Sequence, residues 1–352
     1  MSRYVRGIGI TCALLAAQLM LVPSTAAAGR SHMCAGFPAT IVGTPGDDVI
    51  VGTKDDDVIF GFAGRDRISG LGGMDIICGG RGADTIHGYK AGFAIPTGRS
   101  GDDLLGGRGN DKLYGDQGFT FFAGGSGNDL MDDHNAAPQG AYVAYDSSPG
   151  PVVVDLGAGF ATGEGNDTLI GISGVVGSDY NDTLISGPFS RPGPFPNGLG
   201  PSGELLGFGG NDLIIVAPGT FPEAVEGGDG DDTFVGSQSR HCIFWIHGNR
   251  GDDTFSTSSR GSCINGGNGN DTIYGNSGAD RVNAGPGNDT IFGRGGRDSF
   301  TAGSGSDHLH GNRGFDSLLA TDGVSGNDTV AGGRGTDSCQ ADLGDAVTRC
   351  ES

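Results

Sequence analysis

The residues of this chain best placed to do chemistry are carboxylates on a fixed step. From Asp48, steps of nine residues meet Asp57, Asp66, Asp75, Asp84, Asp102, Asp111 and Asp129, with Phe93 and Thr120 the only breaks. A second run holds Asp253, Asp271, Asp280, Asp289, Asp298, Asp307 and Asp316, with Ser262 at one step. After a three-residue slip the pattern resumes at Asp328 and Asp337. The acid is overwhelmingly of one kind: 37 Asp stand against 5 Glu. Glu would serve solubility equally well, whereas the short Asp side chain presents its oxygens from within a tight turn. The chemistry this suits is ligation of a hard cation such as Ca²⁺, which takes about six to eight oxygens.

Such a ladder needs elements that repeat on the same step. Two residues after the first-run registers stand Ile50, Ile59, Ile68, Ile77, Ile86, Ile95, Leu104, Leu113, Phe122 and Met131, so the phase survives where the Asp is lost. Five residues before them Gly recurs from Gly43 to Gly124, with Thr97 the exception. The unit is GGxGxDxUx, U being apolar, as in residues 266–274. It reads as a Gly-rich turn followed by a three-residue strand whose central side chain points inward. Gly at 72 of 352 residues and the lack of a 3.6-residue period exclude a helical fold. Two units close one coil of a parallel solenoid, with strands stacked about 4.8 Å apart. One buried apolar side chain per unit is little return for ordering nine residues, and the stacked Asp repel one another. A cation between turns answers both problems. Ca²⁺ accepts carboxylates and carbonyls in flexible geometry, Mg²⁺ demands a tighter octahedron, and Zn²⁺ wants the His and Cys that are sparse here.

The repeats resemble the hemolysin-type calcium-binding repeats of RTX proteins. The resemblance covers nearly all of the chain beyond its leader and implies an all-β fold: a parallel β-roll, a right-handed solenoid with two repeats per coil. It implies that Asp carboxylates and Gly-turn carbonyls of neighbouring coils share multiple Ca²⁺ ions. The pairs are eighteen residues apart, as in Asp48 with Asp66, Asp57 with Asp75, Asp271 with Asp289 and Asp298 with Asp316. Residues 44–133 and 247–341 form two regular tracts. Between them, 134–246 is a degenerate roll in which Asp167, Asp182, Asp212 and Asp232 keep the local D-x-U pattern as further candidate ligands. Their spacings break the eighteen-residue pairing, and the Pro-rich stretches 188–201 and 218–222 read as projecting loops.

Residues 1–28 read as a secretory signal peptide: Arg3 and Arg6, an apolar run from Ile8 to Val22, and small residues up to Ala28. No other stretch is apolar enough to span a membrane. Six Cys remain after the leader, and an even number in an exported chain favours disulfides, with fifteen pairings open. The termini resemble those of short secreted members of the family, with residues 29–43 and 342–352 as caps. On that resemblance Cys34 pairs with Cys78 and Cys339 with Cys350, leaving Cys242 with Cys263.

Other chemistry finds little support. A net charge of −21 argues against a nucleic-acid partner. There is no HExxH and no GxSxG, and matches to GxGxxG are by-products of frequent Gly. The carboxylate pairs Asp102 with Asp103 and Asp252 with Asp253 evoke a glycosidase, yet one member of each falls on the repeat register. Asn-x-Thr triplets at Asn166, Asn181, Asn270, Asn288 and Asn327 reflect Asn being common before the repeat Asp, and His308 and His310 flank Leu309 on the outward side of a strand. The expectation is therefore a secreted, non-catalytic calcium-binding protein, disordered without its metal and folded with it. It would take on the order of ten Ca²⁺ at roughly 10⁻⁴ to 10⁻³ M, as extracellular modules do. The alternative is a calcium-stabilised adhesin or matrix protein presenting the loops at 188–201 and 217–226 to a cell-surface or polysaccharide ligand. A carbohydrate-active enzyme on a β-helical scaffold finds no catalytic group here.

Overall fold

The computed structural model describes residues 32–88, 101–115, 119–133, 140–187, 203–218, 220, 222, 224–236, 245–258 and 261–351. The leader, Phe93, Ile95, Thr97, the loop at 188–201 and Cys242 lie outside them. None of the described residues is helical. Strands alternate between two sheets along the chain, each rung pairing with the rung one coil away. The first sheet has 15 strands, from Ile41–Val42 to Ser338–Ala341, all parallel to their neighbours. The second runs from Val49–Val51 to Ala346–Thr348 and is parallel except where Phe160–Thr162 folds antiparallel between Val153–Asp155 and Asn166–Ile170.

Most three-residue strands bury the middle residue and turn its neighbours outward, as the D-x-U pattern anticipates; Gly174–Val176, buried throughout, and Ala346–Thr348, exposed throughout, are exceptions. The buried residues Ile59, Ile68, Ile77, Ile86, Leu104 and Leu113 begin one apolar column between the sheets that continues to Val330. Because the column is one side chain deep per sheet, no rung has a core of its own, and stability comes from stacking on the next.

The two edges that join the sheets differ. Going from a first-sheet strand to a second-sheet strand, the apolar positions stand nine apart, as in Ile77 and Ile86, Leu104 and Leu113, or Leu205 and Ile214. Only the hairpin coil and the last two coils depart from this constant edge. On the return, the variable edge, the interval is nine from Leu113 to Phe122, twelve from Met131 to Val143 and twenty-one from Leu184 to Leu205. One such insertion corrects the sequence reading. Ile77 pairs directly with Leu104, and Ile86 with Leu113, so that coil has twenty-seven residues where two repeats would take eighteen. An insert of nine residues is invisible to a nine-residue phase.

Disulfides tie down both ends. Cys34, in an antiparallel hairpin of Met33–Cys34 with Phe37–Pro38, is joined to Cys78 in Ile76–Arg81, and Cys339 is joined to Cys350. Cys263 is disulfide-bonded as well; the partner expected for it, Cys242, lies outside the described residues.

Candidate metal centre

Every described register Asp but Asp167 sits at the last position of a turn, immediately before a strand; Asp167 is the second residue of Asn166–Ile170. That placement makes one carboxylate oxygen part of the stacking. Asp48 N–H donates to Asp66 Oδ1 at 2.9 Å, Asp57 N–H to Asp75 at 2.9 Å, Asp271 N–H to Asp289 at 2.8 Å and Asp298 N–H to Asp316 at 2.9 Å. Along the constant edge the ladder passes through Asp84, Asp111, Asp129 and Asp167, and again from Asp182 through Asp212, Asp232 and Asp253 to Asp307 and Asp328. Sequence separations of 38, 30, 20 and 21 in the middle region are thus compatible with unbroken stacking. On the variable edge Asp57, Asp75 and Asp102 form one short ladder, and Asp280, Asp298, Asp316 and Asp337 another. Thr120 and Ser262 occupy register positions there and are buried. The intervening coils put Ala141, Ser173 and Gly203 where the Asp would stand, and the next two such positions, 223 and 244, lie outside the described residues.

The second oxygen is different. Oδ2 is buried without a hydrogen-bond partner in Asp66, Asp75, Asp84, Asp111, Asp129, Asp212, Asp232, Asp253, Asp271, Asp289, Asp298, Asp307, Asp316, Asp328 and Asp337. The first Gly of the unit makes room beside it. A Cβ on Gly61 would lie 2.7 Å from Asp66 Oδ2 and 2.6 Å from the Gly79 carbonyl oxygen of the next coil; on Gly266 it would lie 2.2 Å from Asp271 Oδ2 and 2.6 Å from the Ala284 carbonyl oxygen. Carboxylate and carbonyl oxygens from adjacent coils therefore crowd the same place, where any side chain would collide.

Such oxygens are costly to bury bare. Burial, partly offset by the hydrogen bond from the preceding Asp, pushes the carboxyls of Asp66 and Asp75 up to about 6, those of Asp111 and Asp129 to about 7, and those of Asp212 and Asp253 to about 8. Neighbouring Asp in the ladder push the same way. Among the described residues no three His, Cys, Asp or Glu side chains converge on one point. A cation held here must draw on one carboxylate per turn and complete its shell with main-chain carbonyls. This donor set, all oxygen and distributed over flexible turns, fits Ca²⁺ and does not fit Zn²⁺.

One further row escaped the sequence reading. The residue before the register Asp is often Asn or Asp, and its Oδ1 accepts the N–H of its counterpart one coil later: Asn128 to Asn110 at 2.9 Å, Asn211 to Asn181 at 2.9 Å, Asn288 to Asn270 at 2.8 Å. This ladder runs opposite in sense to the Asp ladder beside it. Its only trace in the sequence was the frequency of Asn at that position.

Replacing Asp271 with Asn separates the two roles of the carboxylate. The amide oxygen can keep the bond from Asp253 N–H, now 2.9 Å, and the amide nitrogen puts a donor where the bare oxygen stood. The charge alone is lost. The expected result is an affinity for Ca²⁺ at that site lowered about tenfold or more, with higher thermal stability in chelator. Calorimetric titration and melting in EDTA read the two effects, and a variant less stable than wild type in EDTA would contradict it.

The family model of the RTX calcium-binding nonapeptide repeat (4 copies) matches residues 42–77, 70–90, 97–131, 224–239, 264–291, 284–318 and 322–346, slightly more than half of the chain. No curated protein matches it. Among solved structures, the chain is similar to a hyperactive, Ca2+-dependent, beta-helical antifreeze protein from an Antarctic bacterium, at 17% identity and a TM-score of 0.34, with 83% of each chain covered.

Proposed function

Since this chain belongs to the RTX calcium-binding nonapeptide repeat family, we propose that it is an exported calcium-binding β-roll that takes up several Ca²⁺ ions, folds on binding them and performs no catalysis. The observation that supports this reading is the row of buried Asp Oδ2 atoms that nothing among the described residues satisfies. The ions would be held by those carboxylates together with the carbonyls of the adjoining Gly-rich turns. When bound, Ca²⁺ supplies the positive charge that offsets repulsion along each ladder. Everything else is the work of the chain: the Gly turns keep the oxygens unobstructed, and the apolar column holds the coils in register. Weak sites of this class stay empty where calcium is scarce and fill outside the cell, so export would couple to folding.

Titrating the full chain with CaCl₂ while following circular dichroism tests the reading. Strand signal is expected to appear with a midpoint of roughly 10⁻⁴ to 10⁻³ M and to vanish on adding chelator. A strand signal that survives chelator at neutral pH would overturn it.

A display role is favoured by most length changes, and the longest of them, falling on the variable edge. Pull-downs on cell-surface and polysaccharide fractions, with and without residues 188–201, test it; equal capture by both forms would dismiss it.

A further inference from the structure

The register turns fall into two kinds, and the difference lies four residues before the Asp. In every nine-residue turn whose Asp keeps a bare Oδ2, that residue has a positive φ, even where it is not Gly: Phe62 at 85°, Leu71 at 76°, Phe208 at 78°, Asn249 at 80°, Arg294 at 66° and Asn312 at 69°. Bulky residues seldom adopt this left-handed conformation, so the rest of the turn imposes it. In four other turns the position holds Thr44, Thr53, Ser178 or Asn276, none with positive φ, and its N–H reaches the carboxylate. Thr44 donates to Asp48 Oδ2 and Thr53 to Asp57 Oδ2 at 2.6 Å, Asn276 donates to Asp280 Oδ2 at 2.8 Å, and Ser178 does the same to Asp182. Side chains add to this: Ser178 Oγ donates to Asp182 Oδ1 at 2.8 Å, and Asn276 Nδ2 to Asp280 Oδ1 at 3.1 Å. Asp167 reaches the same end differently. Its turn keeps a left-handed Gly163, but the hydroxyl of the fully buried Tyr145 donates to Oδ2 at 2.9 Å.

We propose that Asp48, Asp57, Asp167, Asp182 and Asp280 take no calcium, their second oxygen being occupied by a donor of the protein itself, and that the calcium array is thereby divided. The proposal rests on the calcium reading above. Its main consequence is in the middle of the molecule. There the constant edge carries Asp167 and Asp182, and the variable edge carries no Asp at its described register positions Ala141, Ser173 and Gly203. Packed around Tyr145, Val152, Val154 and Ala161, these coils offer no register Asp with a bare Oδ2, the bare Oδ2 of Asp146 lying off the register, and they separate one calcium block up to Asp129 from another from Asp212 onward.

Counting bound calcium per full chain, by native mass spectrometry and calorimetric titration with CaCl₂, tests this. Asn276→Gly removes the side-chain donor to Asp280 and permits the left-handed turn, in which the backbone N–H of that residue no longer reaches the carboxylate; it should bind one ion more than wild type. Leu71→Thr installs the residue of the self-satisfied turns opposite Asp75 and should bind one ion fewer, while Leu71→Met should match wild type. Circular dichroism in saturating calcium checks that each variant is folded. An unchanged count in both Asn276→Gly and Leu71→Thr, or an equal loss in Leu71→Met, overturns the division. A wild-type chain that binds no calcium overturns the calcium reading itself.

Discussion

Acidified in the presence of chelator, this protein should gain strand structure. Most proteins lose structure as carboxylates are protonated, because their acids are stabilised in ionised form. Here burial raises the folded-state values to about 6 for Asp66 and Asp75, about 7 for Asp111, Asp129, Asp232 and Asp271, and about 8 for Asp212 and Asp253. In the unfolded chain the same groups titrate near about 3.9. Between these limits the folded state binds more protons, so its stability is fully present below about pH 4 and is lost as pH rises through about 6 to 8. Protons thus stand in for the cation. The far-ultraviolet strand signal in EDTA should increase from pH 8 to pH 5, and the calcium needed for half-folding at pH 6 should be lower than at pH 8. A signal that is flat, or that falls, over that interval would show that the bare carboxylates are not what keeps the metal-free chain unfolded.

The second large effect is expected from the apolar column. Phe255 is fully buried, its ring stacked on Phe234 at 4.6 Å with 2° between the planes, and its strand pairs with the rungs carrying Phe234 and Ile273. Phe255→Ala should cost about 3 to 5 kcal/mol in saturating calcium. The loss falls at the upper end for a physical reason: the parallel sheets hold neighbouring rungs at a fixed spacing, so the cavity has little means to close. Because folding and calcium uptake are linked, the same variant should also need more calcium to fold. Denaturant melts in excess CaCl₂ and calcium titrations measure the two. A cost below about 1 kcal/mol would mean that the stack contributes little beyond surface burial.

Much of this architecture could be read before any coordinates. The row from Ile50 to Met131 and the Gly five residues before each Asp both follow from local requirements: a strand three residues long has one inward side chain, and its turn has one place too crowded for a Cβ. These requirements recur at every rung, which is why they appear as a period. The insertion between Ile86 and Leu104 escaped because it has the length of the period. The asymmetry of the two edges escaped because a step of nine treats every turn alike. Asp212 and Asp232 looked irregular in sequence, yet they stand in an unbroken ladder.

The amino-acid order settled what each residue does within its own turn: which side chain faces inward, where Gly is obligatory, and that the chemistry is that of oxygen and a hard cation. Folding settled what lies one coil away, which the chain does not encode at a fixed distance. Closing a longer loop costs little more than closing a short one, so partners 18, 27 or 38 residues apart can stack equally well. The same is true of the finest distinction found here. Leu71 and Thr53 occupy equivalent places in the repeat, and the sign of one backbone angle separates a carboxylate left bare from one already bonded.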